Sequence, residues 1–502
     1  MKSKNVAPSM EEDLDVREVP EGWIVLTIKD LVSSKKNAIK RGPFGSSIKK
    51  SFFVPEGFKI YEQKNIIYND FAAGNYFISE EKFRELEDFE IRSGDFIISC
   101  SGTIGKIAIV PNGIQRGIIN QALLKITLNE EKILSKYFFL LCNSERFQKK
   151  IARNTHGSTM QNISSVSDIK KITILLPPLS EQQRIVAYVE ALLTHINTAS
   201  NRLSRVPWIM KKFRQVVLVA ACEGWLTEEW RENHRNKIQT PSLTDLLSHR
   251  KVLWKLRNSK FSSQLKNKTH QKYKEPKEPS KDNIVDLPVG WIPITVSQIA
   301  FLDVGFSFSS KEFQDSGIKL LRGENIEPGS LRWRETKYWS EDQIDDYQHL
   351  LLEDGEIVLG MDRPLISTGF KIARVTPEDL PCLLVQRVTR FKMVDPEYTD
   401  ILYYNLQNEK FQKYLAENGL TGSALPHITG SAVKDYTLGL PSKEESNEIT
   451  RRVNALFARA DAFDRQVVAA SRRCERLTQA VLGKAFRGEL ISGMESESHI
   501  NP

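Results

Sequence analysis

The sequence repeats itself, and the repeat constrains every later step. At an offset of 264 residues, the stretch from Leu176-Pro177-Pro178 to Leu226 aligns without a gap on the stretch from Leu440-Pro441-Ser442 to Leu490. Ile185 falls on Ile449, Val189 on Val453, Ala191-Leu192 on Ala455-Leu456, Leu203 on Val467 and Gly224 on Gly488. Whatever supersecondary unit one copy forms, the other forms too. At 502 residues the chain is also too long for one ordinary core.

Both copies carry an apolar seam whose steps alternate four and three, the spacing of helices that pair through a heptad. In the first copy the seam runs Ile185, Val189, Leu192, Ile196, Ala199, Leu203, Val206, Met210, Phe213, Val217. In the second it runs Ile449, Val453, Leu456, Ala460, Phe463, Val467, Ala470, Cys474, Leu477, Val481. Matching registers point to two long helices that pair with each other as an antiparallel coiled coil. Glu181 and the Glu444-Glu445 pair put acids in the first turn, where the helix dipole favours them. Pro207 is expected to kink the first helix, while the second has Ser471 there. Gly224 and Gly488 suit the helix ends.

The repeat extends upstream. Pro20-Glu21-Gly22-Trp23 opens the first half and Pro288-Val289-Gly290-Trp291 the second. Lys64-Asn65-Ile66 matches Glu324-Asn325-Ile326, Lys106-Ile107-Ala108 matches Lys371-Ile372-Ala373, and Asn120-Gln121 lies opposite Val385-Gln386. Short β-rich runs, glycine turns and a few helices make each half an α+β globular domain of about 150 residues. The predicted fold class is thus α+β, with two similar globular domains alternating with two long paired helices.

Net charge is +8, but between Arg231 and Lys281 there are 14 Lys/Arg against 4 Asp/Glu. The basic excess therefore sits in a linker and leaves the rest of the chain slightly acidic. The linker has one short helix pattern, Leu243 to Leu256; the remainder, KNKTHQKYKEPKEPSKDN, reads as a solvated tether.

Other classes drop out. No apolar run approaches the ~18 residues of a membrane span, and the opening MKSKNVAPSMEED has no apolar signal core. Cys100, Cys142, Cys222, Cys382 and Cys474 are scattered without a CxxC pair, and the eight histidines show no ligand spacing. A reducing, cytoplasmic location without membrane contact is expected, and no metal site.

The two PxGW openings, the helix starts LPPLSEQQRIVAYVEALL and LPSKEESNEITRRVNALF, Phe213-Arg214-Gln215, the run Leu226 to Arg231, and Ala485-Phe486-Arg487-Gly488-Glu489-Leu490 form a set of motifs. Together they resemble those of the specificity (S) subunits of type I restriction–modification systems. The resemblance covers nearly the whole chain and is looser in the globular domains. It implies a target recognition domain at 1–178, a central long helix at 179–231, the basic linker at 232–285, a second target recognition domain at 286–441, a C-terminal long helix at 442–490 and a tail at 491–502. It further implies that each recognition domain reads one half of a split, asymmetric site in double-stranded DNA. The helices then set the gap and bind two methylation subunits. Partner subunits supply the chemistry: adenine methylation with S-adenosylmethionine, and translocation and cleavage by two motor–nuclease subunits with ATP and magnesium.

No catalytic residue or cofactor is expected in this chain. Asp395-Pro396-Glu397-Tyr398 departs from the Asn/Asp-Pro-Pro-Tyr/Phe methyltransferase motif at its third position and reads as a turn before a helix. Ser101 to Lys106 lacks phosphate-loop spacing, with Ile107 where a magnesium-binding hydroxyl would stand.

DNA readers place Arg, Lys and Ser on phosphates and Arg, Asn, Gln, Asp and Glu on base edges. The candidates in the first domain are Arg41, Ser46, Gln63, Lys64, Asn65, Ser101, Thr103, Lys106, Asn120, Gln121, His156, Ser158, Thr159, Gln161 and Asn162. In the second they are Ser309, Lys311, Arg322, Glu324, Asn325, Asp362, Arg363, Lys371, Gln386, Arg387, Ser423 and His427. Each has a plainer role open to it: Asn65 and Asn325 as turn caps, Gln121 and Gln386 as partners of buried backbone, His156 and His427 as ordinary loop residues. The rival functions are a DNA-binding scaffold outside restriction, a protein–protein adaptor working through its coiled coil, and an enzyme with an unrecognised site.

Overall fold

The computed structural model describes residues 19–44, 47–153, 165–236, 238–264, 272–280, 287–366, 369–421 and 427–490. The chain forms two compact units, residues 1–205 with 467–502, and residues 206–466. Each contains one globular domain and parts of both long helices.

In the first unit, strand Ile24–Thr27 pairs antiparallel with Thr173–Leu176, Ile24 opposite Leu176. A one-turn helix, Ile28–Leu31, follows at once, because the Asp30 carboxylate accepts from the Thr27 backbone N–H at 2.8 Å and closes a capping box. The main sheet is antiparallel in the order Ile39–Arg41, Leu123–Ile126, Phe96–Ser99, Ile107–Ile109. A second four-stranded sheet contains the parallel pair Phe58–Tyr61 and Gly117–Ile119. Phe96, Phe138 and Phe147 fill the core, with successive ring centroids 5.0 and 6.4 Å apart. Each such ring stabilises by roughly 1.5–3 kcal/mol on burial.

The second unit repeats this plan. Ile292–Thr295 pairs with Thr437–Leu440, and Gln298 caps Thr295 at 2.8 Å. The main sheet runs Ala300–Val304, Val388–Met393, Ile357–Gly360, Ile372–Arg374. Here the parallel pair is Ile318–Leu321 with Cys382–Leu384. Of the segments matched in the sequence, Ile107-Ala108 and Ile372-Ala373 occupy matched strands, whereas Lys64-Asn65-Ile66 lies in the short helix Gln63–Ile67 and Ile326 opens the strand Ile326–Glu327.

The first long helix spans Leu179–Leu203 and resumes as Val206–Cys222. Pro207 explains the break, because it has no N–H to donate and its ring would press on the Leu203 carbonyl; in the first turn of a new helix neither matters. The second, Lys443–Ala485, runs 43 residues uninterrupted. In the second unit the helices run antiparallel. The Arg214 guanidinium forks to Asp461 and Asp464 at 2.6 and 2.8 Å, Arg452 reaches the Leu226 carbonyl, and Arg231 reaches Glu445. Val217 joins Ile449 and Val453 in the core there, with Leu456 packed on it and Met210 half-buried. In the first unit Ile185 and Val189 pack in one core with Leu482, Ala485 and Phe486. Val467 is buried, and Leu192, Ile196, Leu203 and Val481 are half-buried. Phe213, Phe463 and Leu477 stand exposed although they hold seam positions.

A lock made from both repeats closes each unit. Trp23 Nε1 donates to Glu181 at 3.0 Å, and Trp291 Nε1 donates to Glu445 at 2.9 Å. These glutamates hold the PxGW turns, beyond favouring the helix dipole. The turns also receive the far helix ends. Gly488, at φ +78°, lies so close to Pro20 that a Cβ would come within 2.6 Å of its ring, and Gly224, at φ +75°, meets Pro288 at 2.5 Å. Only glycine serves at both the left-handed angle and the close approach.

The linker departs from the expected tether. Its helix extends over Leu243–Gln264 and is bound to the second unit. Arg250 is buried, donates to the Ser297 carbonyl at 2.8 Å and lies over the Phe301 ring at 4.4 Å. Arg257 grips both oxygens of Asp303 at 2.7 Å, and Lys277 pairs with Asp435. Part of the basic excess is thus consumed by internal ion pairs, which composition could not reveal. Among the described residues, no helix is long and apolar enough to cross a membrane.

Candidate nucleic-acid interface

The candidates of the first unit gather where the strands Ile39–Arg41, Phe58–Tyr61 and Phe96–Ser99 end. Arg41 Nε donates to the Gln121 carbonyl at 3.4 Å, and its guanidinium lies over the Phe44 ring at 4.8 Å. Gln63 donates to the carbonyls of Ser101 and Thr103, the latter at 3.0 Å, tying two loops together. Thr103, Lys106 and Gln121 are exposed, and Ser101 is half-buried. Asn120 accepts from the Ala122 N–H at 3.0 Å and so shapes the turn that carries Gln121. Lys64 is exposed and paired with Glu62 at 2.9 Å.

In the second unit a mixed-charge group forms at the equivalent strand ends. Arg387 Nη1 donates to both Asp362 oxygens at 2.9 and 2.8 Å, and Asp362 bridges His427 across the backbone. Arg363 and Arg387 hold positive φ, 42° and 63°, which turns both into exposed loops. The Lys371 ammonium is pushed below its ordinary pKa by burial and by Arg363, against the pull of Asp362 and Glu324. Arg322 pairs with Glu324 and donates to the Glu335 carbonyl at 3.2 Å. Ser309, Lys311 and Gln386 are exposed.

Asn65 and Asn325 correct the expectation of DNA contact. Both are buried: Asn65 Oδ1 accepts from the Glu62 N–H, and its amide donates to the Asp70 and Ala73 carbonyls. Asn325 accepts from the Arg322 N–H and donates to Arg332. These side chains build the turns and present nothing outward. Ser46, His156, Ser158, Thr159, Gln161, Asn162 and Ser423 lie outside the described residues. The site includes one feature that polar-residue reasoning passed over, the exposed rings of Phe44 and Phe306.

The catalytic look-alikes are occupied structurally. Asp395 caps the turn Pro396–Tyr398 by accepting from the Glu397 N–H at 3.1 Å, and Lys443 pairs with Asp395 at 2.7 Å. In the Ser101–Lys106 loop, the Lys106 N–H donates to Ser99 Oγ at 3.0 Å. Among the described residues no group of three or more His, Cys, Asp or Glu could hold a metal ion.

Comparison with known proteins places this architecture. A solved chain from work on complex assembly and conformational transition of the type I R-M system superposes with a TM-score of 0.58 at 18% identity, covering 94% of this chain and 100% of that one. The fold is therefore shared with that chain. Residues 20–206 match the type I restriction modification DNA specificity domain. The EcoKI specificity subunit of Escherichia coli K12 is 24% identical over 492 residues, covering 96% of this chain and 92% of that protein. The EcoBI specificity subunit of Escherichia coli is 26% identical over 389 residues, covering 76% and 71%. Residues 20–206 thus match a type I restriction modification DNA specificity domain, and the chain is similar over most of its length to type I specificity subunits.

Proposed function

We propose that this chain selects the DNA target for a type I restriction–modification complex and performs no chemistry itself. Each globular domain reads one half of a split, asymmetric site. The paired helices set the gap between halves and bind two methylation subunits. Those subunits methylate adenines with S-adenosylmethionine, and two motor–nuclease subunits act on unmodified DNA with ATP and magnesium, in the cytoplasm.

One observation carries the reading. The two units share strand order, capping boxes and tryptophan locks, yet their strand-end loops carry different chemistry. Arg41, Gln63, Thr103, Lys106 and Gln121 serve the first. The Asp362–Arg387 pair with Arg363, Lys371 and Gln386 serves the second. A shared scaffold with divergent polar loops suits two unlike half-sites; a symmetric homodimer would read a palindrome.

The test is whole-genome mapping of N6-methyladenine in a methylation-free host. The host expresses this chain with its cognate methylation subunit, or either one alone. A split asymmetric motif that requires both proteins is expected. Association of the two without any new motif would replace this reading with that of an adaptor. Methylation by this chain alone would make it an enzyme.

A further inference from the structure

The polar strand-end loops also expose phenylalanine. Phe44 is 59% and Phe306 47% exposed. A lone exposed apolar side chain is ordinary. The same exposure at the same loop of two diverged repeats needs a cause, because water contact is unfavourable for both rings.

The backbone beneath each ring is fixed in the same way. The Gly42 N–H donates to the Leu123 carbonyl at 2.9 Å, and the Gly305 N–H donates to Val388 at 3.1 Å. A Cβ on Gly42 would fall 1.8 Å from the Asn120 carbonyl oxygen, and one on Gly305 would fall 2.2 Å from that of Val385. Asn120 and Val385 are themselves matched in the repeat. Neither loop can carry a side chain at its glycine, so each is held tightly to the sheet end while the ring beyond it stays in solvent. Arg41 lies over the Phe44 ring and donates to the Gln121 carbonyl. The Phe306 carbonyl accepts from the Gln386 N–H at 2.7 Å, and its ring leans on Phe308 and Tyr347 at centroid distances of 5.2 and 5.3 Å.

We propose that Phe44 and Phe306 are specificity-determining residues that make apolar contacts with base edges in the major groove, one in each half-site. The matching group is the C5 methyl of thymine. In that groove guanine offers acceptors to Arg and adenine offers a donor–acceptor pair to Gln, whereas thymine adds an apolar methyl. A ring anchored next to a fixed glycine, stacked under Arg41 in one unit and against Phe308 and Tyr347 in the other, fits such a mixed edge. The proposal rests on the DNA-reading role given above.

The test uses the full chain with its methylation subunit. Phe44→Ala is expected to relax one position, normally thymine, in one half of the methylated motif, and Phe306→Ala one position in the other half. Replacing that thymine by uracil in a duplex probe should weaken wild-type binding roughly three- to fivefold, the factor carried by burying one methyl group. The alanine variant should no longer sense the replacement, and Phe44→Leu should retain part of the effect. An unchanged motif and affinity overturn the proposal. So does a loss spread evenly over both halves by a folded variant, or a relaxed position that is not thymine. If the wild-type complex yields no motif at all, the failure lies with the DNA-reading role.

Discussion

Glu445 shows how much a single side chain carries in this fold. It is fully buried and accepts from Trp291 Nε1, Thr227 Oγ1 and the Arg231 guanidinium at 2.7–3.0 Å. Removing it leaves a largely buried guanidinium and an indole N–H without their acceptor. Glu445→Ala is therefore expected to cost about 3–5 kcal/mol, seen as a lower urea midpoint by tryptophan fluorescence. Trp23→Phe deletes one hydrogen bond and keeps the ring's packing, so about 1 kcal/mol is expected in the same measurement. A cost for Glu445→Ala as small as that would mean water reaches Arg231. At the strand ends, Arg41→Ala and Arg387→Ala should each weaken binding to cognate DNA. If the contact is to phosphate, the slope of log affinity against log salt should fall by about one. Unchanged affinity at physiological salt removes that arginine from the interface.

At the scale of elements, the linker helix is the clearest departure from expectation. Its attachment is electrostatic and has a predictable pH dependence. Burial pushes the Asp303 carboxyl upward, but Arg257 and Arg390 outweigh it and hold the carboxyl below the ordinary range. A carboxylate with a depressed folded pKa contributes stability above its unfolded value of about 4, and that stability is lost as pH falls through the folded value. Trypsin sites along Leu243–Gln264 should thus be protected at neutral pH and open at acid pH before the cores unfold. Arg257→Ala should expose them already at neutral pH. Equal cleavage of variant and wild type would show that Arg250 and the Phe301 contact hold the helix without the ion pair.

For the whole molecule, the telling feature is that both long helices are divided between the two units. Each unit takes the start of one helix and the end of the other, so the glycine seated on each PxGW turn comes from the other repeat. If the paired helices set the gap, a heptad inserted at matched seam positions in both adds roughly 10 Å. The methylated motif should then lengthen its gap by about three base pairs and keep both half-sites. An unaltered gap would show that the helices do not act as the ruler.

The sequence alone determined the duplication, the two long helices, part of their seams and the break at Pro207, because these are periodic or local signals; that Phe213, Phe463 and Leu477 stay exposed was decided by the packing. It also singled out the PxGW turns and the glycines at the helix ends without showing that they meet. That meeting joins residues on different repeats, and only tertiary structure brings Gly488 to Pro20. The same holds for Asn65 and Asn325: their residue type fits DNA contact as well as turn capping, and burial decided for the turn. Composition gave the linker its charge, while the carboxylates that take up Arg257 and Lys277 lie elsewhere in the chain. The exposed rings of Phe44 and Phe306 were invisible for the complementary reason. An apolar residue reads as core until the fold leaves it in water.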